Sequence, residues 1–318
     1  MDGVSHTDTF ASGVALAETL QQLALSMGEA RCHLLIDPLL RDPVEDEDWQ
    51  GLGEALAARA TAIRLAHPDI DPRVWPRLIT LDLTRPRDAD ISRTAAEMAI
   101  RDWHSESLAQ GRGRRIGGWI FGVTDVIAMA RHLGRSLLQE SPGGGRRLFR
   151  LHDPAVIDLV WRMASHGQKA DLLGPANLWV NIDRWGRLAR YASEAPRSGA
   201  TVQLDAEQWR LAALLGAVNR AWRVVAERPD AVSEEALDQV VACVRRGVEA
   251  GLRDARDWEA MAVRALTVHP EFDCHPDVAA LLAERPDDVG FARLVMDFTE
   301  ADWRRIAREA PLRRASPI

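Results

Sequence analysis

The rhythm of apolar positions changes about two thirds of the way along the chain. Before residue 195, short apolar runs recur between longer stretches with helical spacing. Five runs have strand composition: CHLLID (32–37), RLITLDL (77–83), GGWIFGV (117–123), RRLFRLHD (146–153) and ANLWVNID (176–183). RLITLDL alternates, with Ile79, Leu81 and Leu83 on one side and Thr80 and Asp82 on the other. WIFGV is apolar throughout, as a strand covered on both faces is. Helices are predicted between these runs: over the Ala/Leu/Arg-rich residues 53–66, over 92–110 after Ser92 as N-cap, and over 125–139 after Thr124. The last places Val126, Ala130, Leu133 and Leu137 on one face. Strands alternating with helices predict a mixed α/β lobe, its central sheet of about five strands flanked by helices.

SEAPRSGAT (193–201) reads as a linker, and no strand pattern follows it. Asp205 and Gln208 form a capping-box pair. Leu211, Leu215, Val218, Trp222 and Val225 then make one apolar stripe. Ser233 starts a second helix lined by Leu237, Val241, Val244 and Val248 and stopped by Gly251. A third carries Trp258, Met261, Ala262 and Ala265; shorter helices follow near 276–284 and 288–297, and Thr299 caps the last. The expected organisation is an N-terminal extension (1–30), an α/β domain (31–195) and an all-α C-terminal lobe (196–318).

A chain of 318 residues with 47% apolar and 27% charged residues is an ordinary globular composition. Its net charge of −7 is the wrong sign for a nucleic-acid binder. The one dense basic spot, Arg112, Arg114 and Arg115, reads as a solvated loop. Three scattered cysteines do not make a disulfide framework. With neither a signal-peptide pattern nor an apolar run of spanning length, a cytoplasmic protein away from the membrane is expected.

Chemistry-bearing residues cluster in two places. His152–Asp153–Pro154 either starts a helix or marks a catalytic pair at a strand end. Asp is a favoured N-cap and Pro a favoured first helical residue, and Ile157, Val160, Trp161 and Ala164 continue a helical face. The structural role is therefore preferred, with a small-molecule α/β enzyme using His152 and Asp153 as the alternative. HPEFDCHPD (269–277) gathers His269, Asp273, Cys274 and His275 without the paired spacing of a zinc site, and no metal or cofactor is expected. SPGGGRR (141–147) lacks the strand–glycines–Lys–helix order of a phosphate loop and reads as a connection. Trp179 shares a face with Asn177, Asn181 and Asp183, which makes it a candidate anchor for a partner.

The order CHLLIDPLLRDP, WPRLITLDL, GGWIFGVTDVIAMARHLGRSLL, GGGRRLFRLHDPAVIDLVW and DLLGPANLWV resembles a family first defined only as a domain of unknown function. Its characterised members are effector chaperones, or adaptors, of the bacterial type VI secretion system. The resemblance covers about residues 30–190 and rests most on the Asp153–Pro154 helix start and on Gly174–Pro175. Where members usually have an aromatic residue before Asp-Pro and Arg after it, this chain has His152 and Ala155. The resemblance implies a non-enzymatic protein that binds a cognate effector in the cytosol and helps load it onto a VgrG-type spike.

Overall fold

The computed structural model describes residues 5–10, 12–49, 51–110, 113–227 and 232–310, with side chains from Phe10 onward. The chain divides into two compact units, with the boundary between Leu204 and Asp205. In the first, the strands are β1 (Ser5–Thr9), β2 (Arg31–Ile36), β3 (Ala60–Ala62), β4 (Arg77–Asp82), β5 (Ile116–Phe121), β6 (Leu138–Glu140), β7 (Arg146–Leu148), β8 (Leu178–Ile182) and β9 (Arg187–Tyr191). Its helices are α1 (Gly13–Ser26), α2 (Gly53–Arg59), α3 (Pro86–Arg101), α4 (Ser105–Ala109), α5 (Val126–Leu137), α6 (Pro154–Met163) and α7 (His166–Leu173).

Seven strands form one sheet in the order β1-β9-β8-β5-β2-β4-β3. Every neighbouring pair is antiparallel. Cross-strand register puts Leu34, Ile79, Trp119 and Val180 on one face. There the Trp119 indole N–H donates to Ser92 of α3 at 3.1 Å, and α1 packs on α3. The other face carries Ile120, Trp179, Asn181 and Tyr191. Trp161 of α6 meets Tyr191 there edge to face, 5.2 Å between centroids. Helices on both faces explain why β5 and β8 are buried along their whole length. At Gly118 the chain takes φ +122°, and an added Cβ would lie 2.1 Å from the Val180 carbonyl oxygen. Only glycine fits there.

Several boundaries differ from the sequence reading. The stretch expected as an N-terminal extension supplies edge strand β1 and helix α1 to the first unit. The helix expected over 53–66 ends at Arg59, because Ala60–Ala62 pair with Arg77–Ile79, and sheet pairing overrides alanine's helix preference. The helix expected from Ser92 begins six residues earlier, at Pro86. Proline at the first helical position is the stronger start signal, and Ser92 lies inside the helix as a buried acceptor. Of the run 146–153 only Arg146–Leu148 is extended, and it pairs with β6 outside the central sheet. The intervening glycines turn that hairpin, Gly144 and Gly145 having φ +84° and +77°. Residues 193–203 belong to the first unit: Gln139 and Gln168 side chains donate to the Val202 and Gln203 carbonyls.

The second unit is helical: α8 (Ala206–Ala221), α9 (Glu234–Glu249), α10 (Ala255–Thr267), α11 (Pro276–Ala283), α12 (Phe291–Leu294) and α13 (Glu300–Glu309). The caps at Asp205, Ser233 and Thr299 form as the sequence predicts. Leu211, Leu215, Val218 and Trp222 are buried, as are Leu237, Val241 and Val244; Val248 is exposed. Gly247 lets α9 approach α10 closely, a Cβ there lying 2.2 Å from the Met261 sulfur. Phe272, Phe291 and Trp303 cluster, with centroid distances of 5.8 and 6.0 Å from Phe272. Among the described residues no helix is long and apolar enough to cross a membrane.

Trp161 fills the space between α6 and the sheet. Its replacement by alanine is expected to cost about 3–5 kcal/mol, read as a lower urea midpoint for loss of near-UV circular dichroism.

Candidate functional site

The Asp153–Pro154 start of α6 forms as predicted, and much more is attached to it. Asp153 Oδ1 accepts from the Ala155 amide at 3.0 Å. Both its oxygens also accept from Arg114, at 2.7 and 2.9 Å. The Arg114 guanidinium lies 4.7 Å over the Trp103 ring. Burial pushes the Asp153 carboxyl up, but Arg114 outweighs it and the pKa falls below the ordinary value. His152 turns the other way, its Nε2 lying 2.8 Å from Asp37 Oδ2 at the end of β2. Arg150 donates to the same oxygen at 2.6 Å. Burial raises the Asp37 carboxyl, yet the His152 and Arg150 charges prevail and hold it at about 2.

The neighbouring Arg115 is 3% exposed at its side chain and is ringed by carboxylates. Asp102 accepts from its Nη2 at 2.8 Å and from its backbone N–H at 2.9 Å. Asp48 accepts from Nη1 at 2.7 Å, and Asp46 from the same nitrogen. Arg41 and Arg101 complete the cluster around Asp46 and Asp48. Burial lowers the Arg115 pKa, but the carboxylates outweigh it and raise it. The expectation of a solvated basic loop therefore fails for Arg114 and Arg115: both are inward-facing counter-ions. Arg112 lies outside the described residues.

Above this network sits a groove of about 720 Å³ formed by the loop after β2 and the turn at Asp71–Val74. Arg41, Asp46 and Asp48 line it and also belong to the network. Leu39 and Val44 stand on the same loop, 48% and 50% exposed. Neither His152 nor Asp153 lines the groove. The arrangement fixes a polar loop with two exposed aliphatic side chains. The two side chains proposed for acid–base work are buried, His152 against Asp37 and Asp153 against Arg114 and the Ala155 amide.

The remaining candidates resolve as follows. Gly174 ends α7 with φ +54°, and an added Cβ would strike the His132 ring at 2.4 Å. With Pro175 it makes the turn into β8, where Arg197 donates to the Pro175 carbonyl. Trp179 does not stand on an exposed face. It is 1% exposed and donates to the Gly117 carbonyl at 2.9 Å, because α6 covers the face that alternation assigns to solvent. It is part of the core rather than an exposed anchor for a partner. Around 269–277, Asp273 takes two hydrogen bonds from Arg246 at 2.6 Å. His275 caps α11 and lies 3.2 Å from Glu309. Among the described residues no group of three or more His, Cys, Asp or Glu side chains is placed to hold a metal ion.

Sequence reasoning found the cap at Asp153 and missed its partner Arg114, the contacts of Asp37 with His152 and Arg150, and the burial of Arg115 among carboxylates. The available signal was an acidic run, EDEDW, in a chain whose densest basic spot lies far along it. Comparison with protein-family models, with curated proteins and with solved structures found no match.

Two measurements test the network. Asp205→Ala, at an exposed cap, is expected to cost about 1 kcal/mol. Asp153→Ala removes a cap too, but strands Arg114 beside the core, and about 3–5 kcal/mol is expected in urea unfolding. Asp37 is depressed in the folded state, so its contribution is full above its ordinary 3.8 and is lost as pH falls through about 2. The loss is on the order of 2 kcal/mol, and Asp37→Asn is expected to flatten that part of the stability–pH curve.

Proposed function

We propose that this chain is a non-enzymatic adaptor chaperone of the type VI secretion kind, which binds a cognate effector in the cytosol and helps load it onto a VgrG-type spike. The observation that carries this reading is the use made of the charged residues in the family-like segments. Asp37, His152, Asp153 and the arginines around them are spent on one another and on a helix cap. What they hold outward is a groove loop carrying Leu39 and Val44. A few exposed aliphatic side chains in a polar surround suit recognition of another protein, with affinity concentrated in those anchors.

The test is co-expression with an effector encoded beside the chain's gene. The two are expected to co-migrate on size exclusion, and deletion of the chain is expected to lower effector abundance and delivery. Leu39→Glu with Val44→Glu is expected to separate them while the unfolding midpoint stays unchanged. Separate migration of the unaltered proteins, together with delivery that survives deletion, rejects the reading.

A further inference from the structure

The second unit has a groove of about 700 Å³ of a different character. One wall is α10, which contributes Arg256, Glu259, Ala260, Val263, Arg264 and Thr267. Those positions are spaced by three or four residues and run the length of the helix as a single stripe. The opposite wall includes Phe291, Val295, Met296 and Phe298. Met296 is 70% exposed, the most of any large apolar side chain among the described residues. The floor is apolar, and its central α10 residues, Ala260 and Val263, are small enough for a backbone to approach.

Its rim is positive, although the whole chain carries −7. Three arginines line it against one glutamate. That glutamate, Glu259, is already shared by Arg220 at 2.7 Å and Arg223 at 2.9 Å. Arg264 rests 4.3 Å over the Trp303 ring, and among the described residues it has no ion-pair partner. Among the described residues Arg256 has no ion-pair partner.

We propose that this groove seats an amphipathic α-helix of a partner protein, its apolar face on Ala260, Val263, Val295 and Met296 and its acidic flank toward Arg256 and Arg264. A helical stripe is what a second helix packs against, by insertion of side-chain ridges into the gaps between rows. Methionine adapts to whichever apolar side chains arrive. The basic rim selects an acidic helix over a basic one. The inference rests on the second unit alone and does not depend on the secretion role.

The probe is a fluorescein-labelled model helix of about 18 residues, long enough to span α10, with leucines at helical spacing and glutamates on both flanks. Its binding to the full chain is read by fluorescence anisotropy. A counterpart with lysines in place of the glutamates is expected to bind about tenfold more weakly or worse. Met296→Glu and Arg256→Glu are each expected to weaken the acidic helix about tenfold, with helical circular dichroism unchanged. Added salt is expected to erase the preference between the two peptides. Equal binding of the two peptides, or an affinity untouched by both substitutions, overturns the proposal. So does self-association of the chain that Met296→Glu abolishes, since the occupant is then a second copy.

Discussion

Arg114 and Arg115 carry two charges into the interior of the first unit, and each must be met there. Desolvating a guanidinium costs several kcal/mol, which only well-placed carboxylates offset. Asp153 meets one; Asp102, Asp46 and Asp48 meet the other. Because these acids come from the β2–α2 loop, the end of α3 and the start of α6, satisfying two arginines fixes three connections at once. Such pairs add little net stability over an apolar core, but they tolerate few alternative geometries. The groove loop inherits its shape from that intolerance.

What was legible in the sequence was local. Asp153, Asp205, Ser233 and Thr299 all cap helices, because a cap is decided by a side chain and the amides two or three residues away. Four of the five expected strands lie in the central sheet, because apolar runs bounded by turns record burial. The mixed α/β class and the helical C-terminal region followed from the same signals.

The illegible parts depend on distant partners. Nothing near His152 announces Asp37, which is 115 positions away. β3 is an edge strand only because β4 lies beside it, and its composition is that of a helix. Trp179 misled for a related reason. Its neighbours Asn181 and Asp183 are polar, but they are fully buried and hydrogen-bonded, Asn181 by the Tyr191 hydroxyl and Asp183 by the Arg187 amide. A polar face points to water only when nothing else satisfies it.

The order of strands also has a bearing on biosynthesis. Ser5 of β1 lies opposite Arg190 of β9, so β1 finds its neighbour only after nearly all of the rest of the first unit has been made. Until then that margin of the sheet stays open. Closure over so long a loop is slow, and unpaired strand margins are where nascent chains adhere to one another.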